Sequence, residues 1–335
     1  MANLELLFSI APVLNIQLVL SGLFVGAIFA LAAYGLALVW GVMNVKNLAQ
    51  GELVIMGGYI AWWLSIDVPV WIGIPAMDFR LFWIDFLPIS VPAVAFLEFM
   101  KPAIHPILGL PVAMVVMFGF GWVIFKIIIC RVIDKDLFTS LLATFGLALV
   151  IQQLLNLAFG PEVQIAESGF AIRSFFGGMV TVADIKFICL VLAGILAVVV
   201  VTFMKYSRMG QAIRATAQDP RAARVMGIDT ERVYAFTFSL NAAICGAAGA
   251  LISMVWVIQP FYGMAHSIRA FVIVTAAGLG NLPGVIIAGL GLGVAEFYSG
   301  FILGAVLQQF TVVGLLVLVL GVRQIQQSRH RQPVR

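Results

Sequence analysis

Two carboxylates stand where carboxylates are costly. Glu52 precedes the apolar stretch 53–66, and Glu296 lies inside the apolar stretch 270–297. An acid at the centre of a hydrocarbon layer costs about 2.5–3.5 kcal/mol on insertion scales, so one that is retained there marks a candidate functional position. Glu52 closes a polar interruption, MNVKNLAQGE (43–52), which also holds Asn44, Asn47, Gln50 and Gly51. The stretch around Glu296 is interrupted by GLGNLPG (278–284), whose Gly278, Gly280, Asn281, Pro283 and Gly284 disfavour a continuous helix. Chemistry of this type is hydrogen bonding and charge pairing along a path for a polar solute, lined by the ends of broken helices. The bland alternative makes 43–52 an ordinary loop outside the bilayer. For Glu296 the alternatives are the path, a pairing with Arg269 or Lys46, or the headgroup level.

A third segment carries a different chemistry. In KYSRMGQAIRATAQDPRAARVMGIDTERV (205–233), Asp219 is a natural N-cap and Pro220 suits the first helical position. Gly227 supplies the left-handed residue that ends a helix, with Ile228 as the apolar residue beyond it. The spacing predicts a helix of about two turns over 220–226, too short to persist without a support. Two supports fit. One is a cytoplasmic protein partner, meeting Ala222, Ala223, Val225 and Met226 with Arg221 and Arg224 at the rim. The other is an anionic headgroup layer beneath an amphipathic helix.

The elements that position these groups follow from composition. Of 335 residues, 63% are hydrophobic and 10% charged, against about 45–50% apolar and 25% charged in soluble domains. A soluble globular protein is therefore excluded. Runs long enough to cross about 30 Å of hydrocarbon lie at 16–40, 110–130, 137–157, 186–204, 234–258 and 302–322, with 53–66 a shorter seventh. The fold class is all-α: a polytopic helical membrane protein of about seven full spans plus a re-entrant pair of half-helices around GLGNLPG. The chain reads as one membrane domain, 1–335, with a proline-rich periplasmic insert at 67–109 and a basic cytoplasmic loop at 205–233.

Charge sets the orientation. Of 19 Lys and Arg, 13 fall near 126–135, in 205–232 and in the tail from Arg323, whereas 67–109 and 160–185 hold three against seven acids. By the positive-inside rule the first group is cytoplasmic, which puts the amino terminus outside and the carboxyl terminus inside. That parity requires 270–298 to enter and leave on the outer side. No Lys or Arg precedes Lys46, so no basic signal region opens the chain and the first run is expected to be retained. Arg269 and Lys186 sit at expected helix starts, where snorkelling to the interface is the default. Six prolines in 67–109 forbid a regular helix, and the aromatics among them suit a cover at the membrane interface.

Other chemistries are excluded. Cys130, Cys189 and Cys245 form no disulfide framework, and His105, His266 and His330 have no metal-ligand spacing. No cofactor or metal is expected. There is no P-loop, so the chain hydrolyses no nucleotide by such a motif of its own. The net charge of +4 belongs to membrane loops, not to nucleic-acid binding. A membrane enzyme would need Glu52, Glu296 and His266 to converge, yet no nucleophile and base occur at helical spacing. An ion-coupled carrier or channel would use the acids but leave the capped helix without a partner. Small residues at four-residue spacing (Gly22 and Gly26; Ala242, Gly246 and Ala250) mark close helix contacts within the bundle, and GLGLG (289–293) reads as packing.

Three stretches together carry a resemblance: GLALVWGVMNVKNLAQGELVIMGGY (35–59), YSRMGQAIRATAQDPRAARVMGIDTERVYAFTFSLNAAICGAAGAL (206–251) and GLGNLPGVIIAGLGLGVAE (278–296). In this order they closely resemble the membrane permeases of high-affinity branched-chain amino acid ABC importers, the LivH and LivM type, over roughly residues 16–322. The resemblance implies a bacterial inner-membrane pore subunit paired with a second permease. Two cytoplasmic ABC ATPases would drive it and a periplasmic binding protein would supply it. It also assigns the ATPase-coupling role to Asp219, Pro220, Arg221, Ala222, Ala223, Arg224, Val225, Met226 and Gly227. Three departures stand out. Gln50 replaces a common His, Ala277 and Asn281 replace the usual Gly and Ser, and the insert at 67–109 is longer. The first two leave open urea, short amides or aromatic carboxylates as solutes of the same importer class.

Overall fold

The computed structural model describes residues 13–74, 77–79, 89–91, 94–101, 104–133, 135–167, 169–175, 180–278 and 280–330. The chain begins with α1 (Val13–Met43), an uninterrupted apolar helix of 31 residues. After it the backbone runs without helix to α2 (Gln50–Ser65). Four short strands follow, β1 (Val68–Ile74), β2 (Met77–Phe79), β3 (Ile89–Val91) and β4 (Val94–Lys101). They pair as antiparallel ladders, β1 with β4 and β2 with β3. This is the proline-rich insert. Its prolines exclude a helix, and strands restore the backbone hydrogen bonds a helix would have made.

The bundle continues with α3 (Pro106–Ile127), α4 (Leu137–Phe159), a hairpin of β5 (Ile172–Phe175) and β6 (Val180–Ala183), and α5 (Asp184–Tyr206). Then come α6 (Arg208–Gln218), α7 (Pro220–Val225), α8 (Thr230–Val255), α9 (Gly263–Ala277), α10 (Leu282–Leu303) and α11 (Ala305–His330). Among the described residues six helices are long and apolar enough to span a bilayer: α1, α3 with the turn after it, α4, α5, α8 and α10. A shorter apolar run, Phe310–Gly321, lies within α11. Its helix begins at Ala305, one residue after Gly304, which at φ 93° ends α10 where the sequence suggested an unbroken run.

Helix α8 is the central post, with 89% of its most apolar window buried. The small residues expected to mark close contacts do so. A Cβ added to Gly57 would lie 2.4 Å from Gly246 Cα, and one on Gly249 would lie 1.9 Å from the Val54 carbonyl oxygen. α1 and α10 run antiparallel at similar closeness: Gly22 faces Val294 and Gly26 faces Gly289. By contrast α3, α4 and α5 turn many large apolar side chains outward, among them Val115, Leu149, Leu157 and Val198. These are the surfaces a lipid layer covers.

The expectation of a re-entrant pair of half-helices is corrected in its second member. α9 is short, 15 residues. α10, however, has 22 residues and meets the length and apolarity of a full span. The GLGNLPG turn between them is therefore not a buried tip. Gly280 and Leu282 line the same cavity as Met43, Asn44, Arg214 and Pro220, at the basic end of the bundle. After α8 the chain passes through the turn Pro260–Tyr262, and α9 starts within the bundle, where Gly263 meets Gly51 of α2.

Candidate functional site

Two helices begin inside the bundle, and their first turns meet. Gln50, the first residue of α2, donates from Nε2 to the Ala32 carbonyl at 2.8 Å. Ala32 lies about 16 Å along α1 from Met43, at 1.5 Å per residue, so α2 starts near the mid-depth of a layer about 30 Å thick. α9 starts beside it. Gly51 N donates to Ser267 Oγ at 2.8 Å, and Ser267 Oγ donates to the Leu48 carbonyl at 2.8 Å. A Cβ on Gly51 would stand 1.8 Å from the Gly263 carbonyl oxygen, and one on Gly263 would stand 2.1 Å from the Glu52 carboxyl carbon. The glycines exist here because the two backbones touch.

Irregular backbone at this depth needs internal partners. Residues 44–49 find several. Ala49 N donates to Asn47 Oδ1 at 3.1 Å and Leu48 N to Thr144 Oγ1 at 3.3 Å, while Thr144 Oγ1 donates to the Lys46 carbonyl at 3.3 Å. Asn44 turns the chain out of α1 with φ 53°, a conformation that Asn tolerates better than most residues. Gln50 also exchanges two hydrogen bonds with Asn241 of α8: Gln50 Nε2 to Asn241 Oδ1 at 3.0 Å and Asn241 Nδ2 to Gln50 Oε1 at 3.1 Å. Both amides are fully buried. Replacing Asn241 alone by Leu should lower stability by about 1–3 kcal/mol, since the buried Gln50 Oε1 loses its donor while Nε2 keeps the Ala32 carbonyl. The double change with Gln50→Leu should recover part of that loss. Thermal unfolding in detergent measures both, and equal midpoints for the two variants would contradict the pairing.

Two buried polar atoms at this junction have no partner among the described residues, Asn47 Nδ2 and Glu52 Oε2. Glu52 is 3% exposed and lies against the first turn of α9. Glu296 lies elsewhere. Its carboxylate is held by Arg269, with Nε at 3.0 Å from Oε1 and 3.1 Å from Oε2 and Nη2 at 2.5 Å from Oε1. The Arg269 guanidinium packs 5.0 Å from the Phe29 ring centroid and 5.9 Å from that of Trp256. Arg269 thus pairs inside the bundle and does not snorkel as its position suggested. Lys46 extends over the Trp40 ring instead.

GLGNLPG forms a tight connection. Gly278 and Gly280 have φ 90° and 83°, and Asn281 caps α10 by accepting from Gly284 N at 3.1 Å, with Pro283 in the first turn. Gly280 and Leu282 of this turn and Asn44 line a cavity of about 760 Å³, which Trp40, Arg214 and Gln218 also line. The expected path residues therefore fall into three places. Asn47, Gln50, Gly51 and Glu52 form the mid-depth junction, Glu296 joins Arg269, and Asn44 with the GLGNLPG turn sits at the basic end.

The short helix at that end is closed at both ends. Asp219 accepts from Arg221 N at 2.8 Å and Ala222 N at 3.1 Å. These bonds hold its carboxyl below the usual carboxylate range, so the cap loosens only as pH falls through that lowered value. Gly227, at φ 85°, donates to the Arg224 carbonyl, and Ile228 donates to the Ala223 carbonyl, both at 3.0 Å. This is the paired C-terminal motif that satisfies the last carbonyls. Val225 and Met226 are 86% and 81% exposed. Ala223, placed by the sequence on the outward surface, is instead buried, and Arg224 is tied to Thr230 Oγ1 at 2.8 Å.

Sequence reasoning missed Asn241, Ser267 and Thr144, which fix the junction from helices distant in the chain. Asn241 gave a signal, as an amide within a small-residue helix face; the two hydroxyls gave none. Among the described residues no group of His, Cys, Asp and Glu is placed to hold a metal ion.

A helical bundle with half-helices meeting at mid-depth and a solvent-facing capped helix at one end is the build of a membrane transport protein. The profile of the family described as "Branched-chain amino acid transport system / permease component" matches residues 18–320, and the chain belongs to that family. It is similar to the high-affinity branched-chain amino acid transport system permease protein LivH of Salmonella typhimurium. The two are 29% identical over 313 residues, covering 91% of this chain and 92% of the relative. LivH of Escherichia coli K12 is 27% identical over 316 residues and BraD of Pseudomonas aeruginosa 26% over 310, with the same coverage. No solved structure matches the chain. The protein is an integral membrane permease component.

Proposed function

We propose that the chain is the pore-forming subunit of an inner-membrane ABC importer for branched-chain amino acids. It pairs with a second permease of the same family, is driven by two cytoplasmic ABC ATPases that supply the ATP hydrolysis, and takes solute from a periplasmic binding protein. The basic end, with α7 and the carboxyl terminus, faces the cytoplasm, and the amino terminus faces the periplasm. The observation that carries this reading is α7. A six-residue helix closed at both ends presents Val225 and Met226 outward with no cover of their own, as a docking element requires. Beside it a groove of about 640 Å³, lined by Phe125, Arg224, Asp229, Glu231 and Tyr234, offers room for a partner's side chains. The solute for which the family and its LivH relatives are named supports branched-chain amino acids over urea, short amides or aromatic carboxylates.

Gly227→Val forces a β-branched residue into the left-handed region, at about 1–2 kcal/mol, and Asp219→Ala removes the N-cap. The double variant should insert normally, lose co-purifying ATPase and take up leucine at less than about a tenth of the wild-type rate. Retention of ATPase and full uptake by the double variant would overturn the docking role of α7. A wild-type complex that transports urea or an aromatic carboxylate but no Leu, Ile or Val would overturn the solute.

A further inference from the structure

Arg269 and Glu296 form a buried ion pair that neither the mid-depth junction nor the docking helix uses. We propose that the pair is a binding site for the charged backbone of a zwitterionic amino acid, which separates the two side chains by supplying each with its opposite charge. The substrate carboxylate takes the Nε and Nη2 edge of Arg269, and the substrate ammonium takes the Glu296 carboxylate. This inference deepens the proposed function and rests on it.

Four observations carry it. First, a buried ion pair is weak support for stability, because its desolvation offsets its attraction and well-packed apolar residues of similar volume often replace it at no cost. α10 is already fixed against α1 by Gly22, Gly26, Gly289 and Gly293, whose backbones touch. Second, the guanidinium has supports independent of Glu296, the rings of Phe29 and Trp256 at 5.0 and 5.9 Å. It keeps its place when the carboxylate moves away. Third, the two partners are unequally covered: the Arg269 side chain is 10% exposed and that of Glu296 1%. An arriving solute meets the cation first. Fourth, Trp256 beside the guanidinium is only half-buried and gives a branched aliphatic side chain an apolar surface.

The exchange balances only for a solute with both charges. A solute with one charge leaves one buried protein charge unpaired, which is strongly unfavourable. The site therefore accepts Leu, Ile and Val through the group they share, and rejects the amine or the keto acid of the same skeleton.

The test uses the complete wild-type transporter in lipid nanodiscs without binding protein, with tritiated L-leucine as probe. L-Valine should displace it, whereas 3-methylbutylamine and 4-methyl-2-oxopentanoate should compete at least about tenfold more weakly. Equal competition by either single-charge analogue, or no leucine binding without the binding protein, overturns the proposal. In cells, the Arg269→Gln/Glu296→Gln double variant should reach the membrane and take up leucine at least about tenfold more slowly. Wild-type uptake by that variant would also overturn it. Should the variant fail to insert, the wild-type competition decides alone. A wild-type complex lacking ATPases or leucine uptake would count against the proposed function itself, whereas the charge-analogue profile bears only on the pair.

Discussion

Gly51→Ala should cut leucine uptake severely. The added methyl would stand 1.8 Å from the Gly263 carbonyl oxygen and 2.6 Å from Ser267 N. Both are backbone atoms, so no rotamer change relieves the contact; one helix start must move away from the other. Overpacking a well-packed interior costs about 1–3 kcal/mol and occasionally more, and here it also breaks the Gly51 N to Ser267 Oγ bond. The expected result is a fall in uptake to below about a tenth, with lower abundance in the membrane. Gly119→Ala is the control, because a Cβ there meets nothing within 4 Å. On an exposed helical position, Ala for Gly is neutral or mildly stabilising. Wild-type transport in Gly51→Ala would show that the two half-helices do not meet as described.

Removing one member of the Arg269–Glu296 pair should cost far more than removing both. Glu296→Leu leaves a guanidinium buried without its anion, a loss of about 3–5 kcal/mol, and the double variant Arg269→Met/Glu296→Leu should regain most of it. Thermal unfolding of the purified proteins in detergent reads this directly. A double variant no more stable than Glu296→Leu would mean that the two side chains are not coupled. The comparison separates the pair's structural weight from its transport role: stability should return in the double variant and uptake should not.

What could be read in the sequence was what is encoded locally. The short helix at 220–225 was legible because Asp219, Pro220 and Gly227 each specify one backbone state within a few residues. The polytopic helical class was legible because composition alone fixes the solvent. Less legible was whatever depends on which helices touch. The covered side of α7 was misplaced at Ala223, because six residues are too few to define an apolar face. Arg269 looked like an interfacial residue since its partner lies on another helix. GLGNLPG was read correctly as a break but at the wrong depth. The start of α9 at Gly263 is set by contact with Gly51, and no periodicity in 256–263 announces it. At the junction, Gln50 and Glu52 were named, whereas Asn241, Ser267 and Thr144 emerged only from the packing.

One feature of the basic end bears on mechanics. Ser207 is both the last cap of α5 and the N-cap of α6, and Asp219 holds the same double place between α6 and α7. Arg214 adds a strut by donating to the Met204 carbonyl. Between Asp184 and Val225 there is consequently no length of chain that can take up slack. In the proposed importer, a push on Val225 and Met226 would pass through α6 to α5, and with it the wall of the 760 Å³ cavity formed by Met204, Arg214 and Pro220. In that reading the linkage would work as a crank, its stroke set by the angles at Ser207 and Asp219, and lengthening either joint would let a docked partner turn without moving the helices.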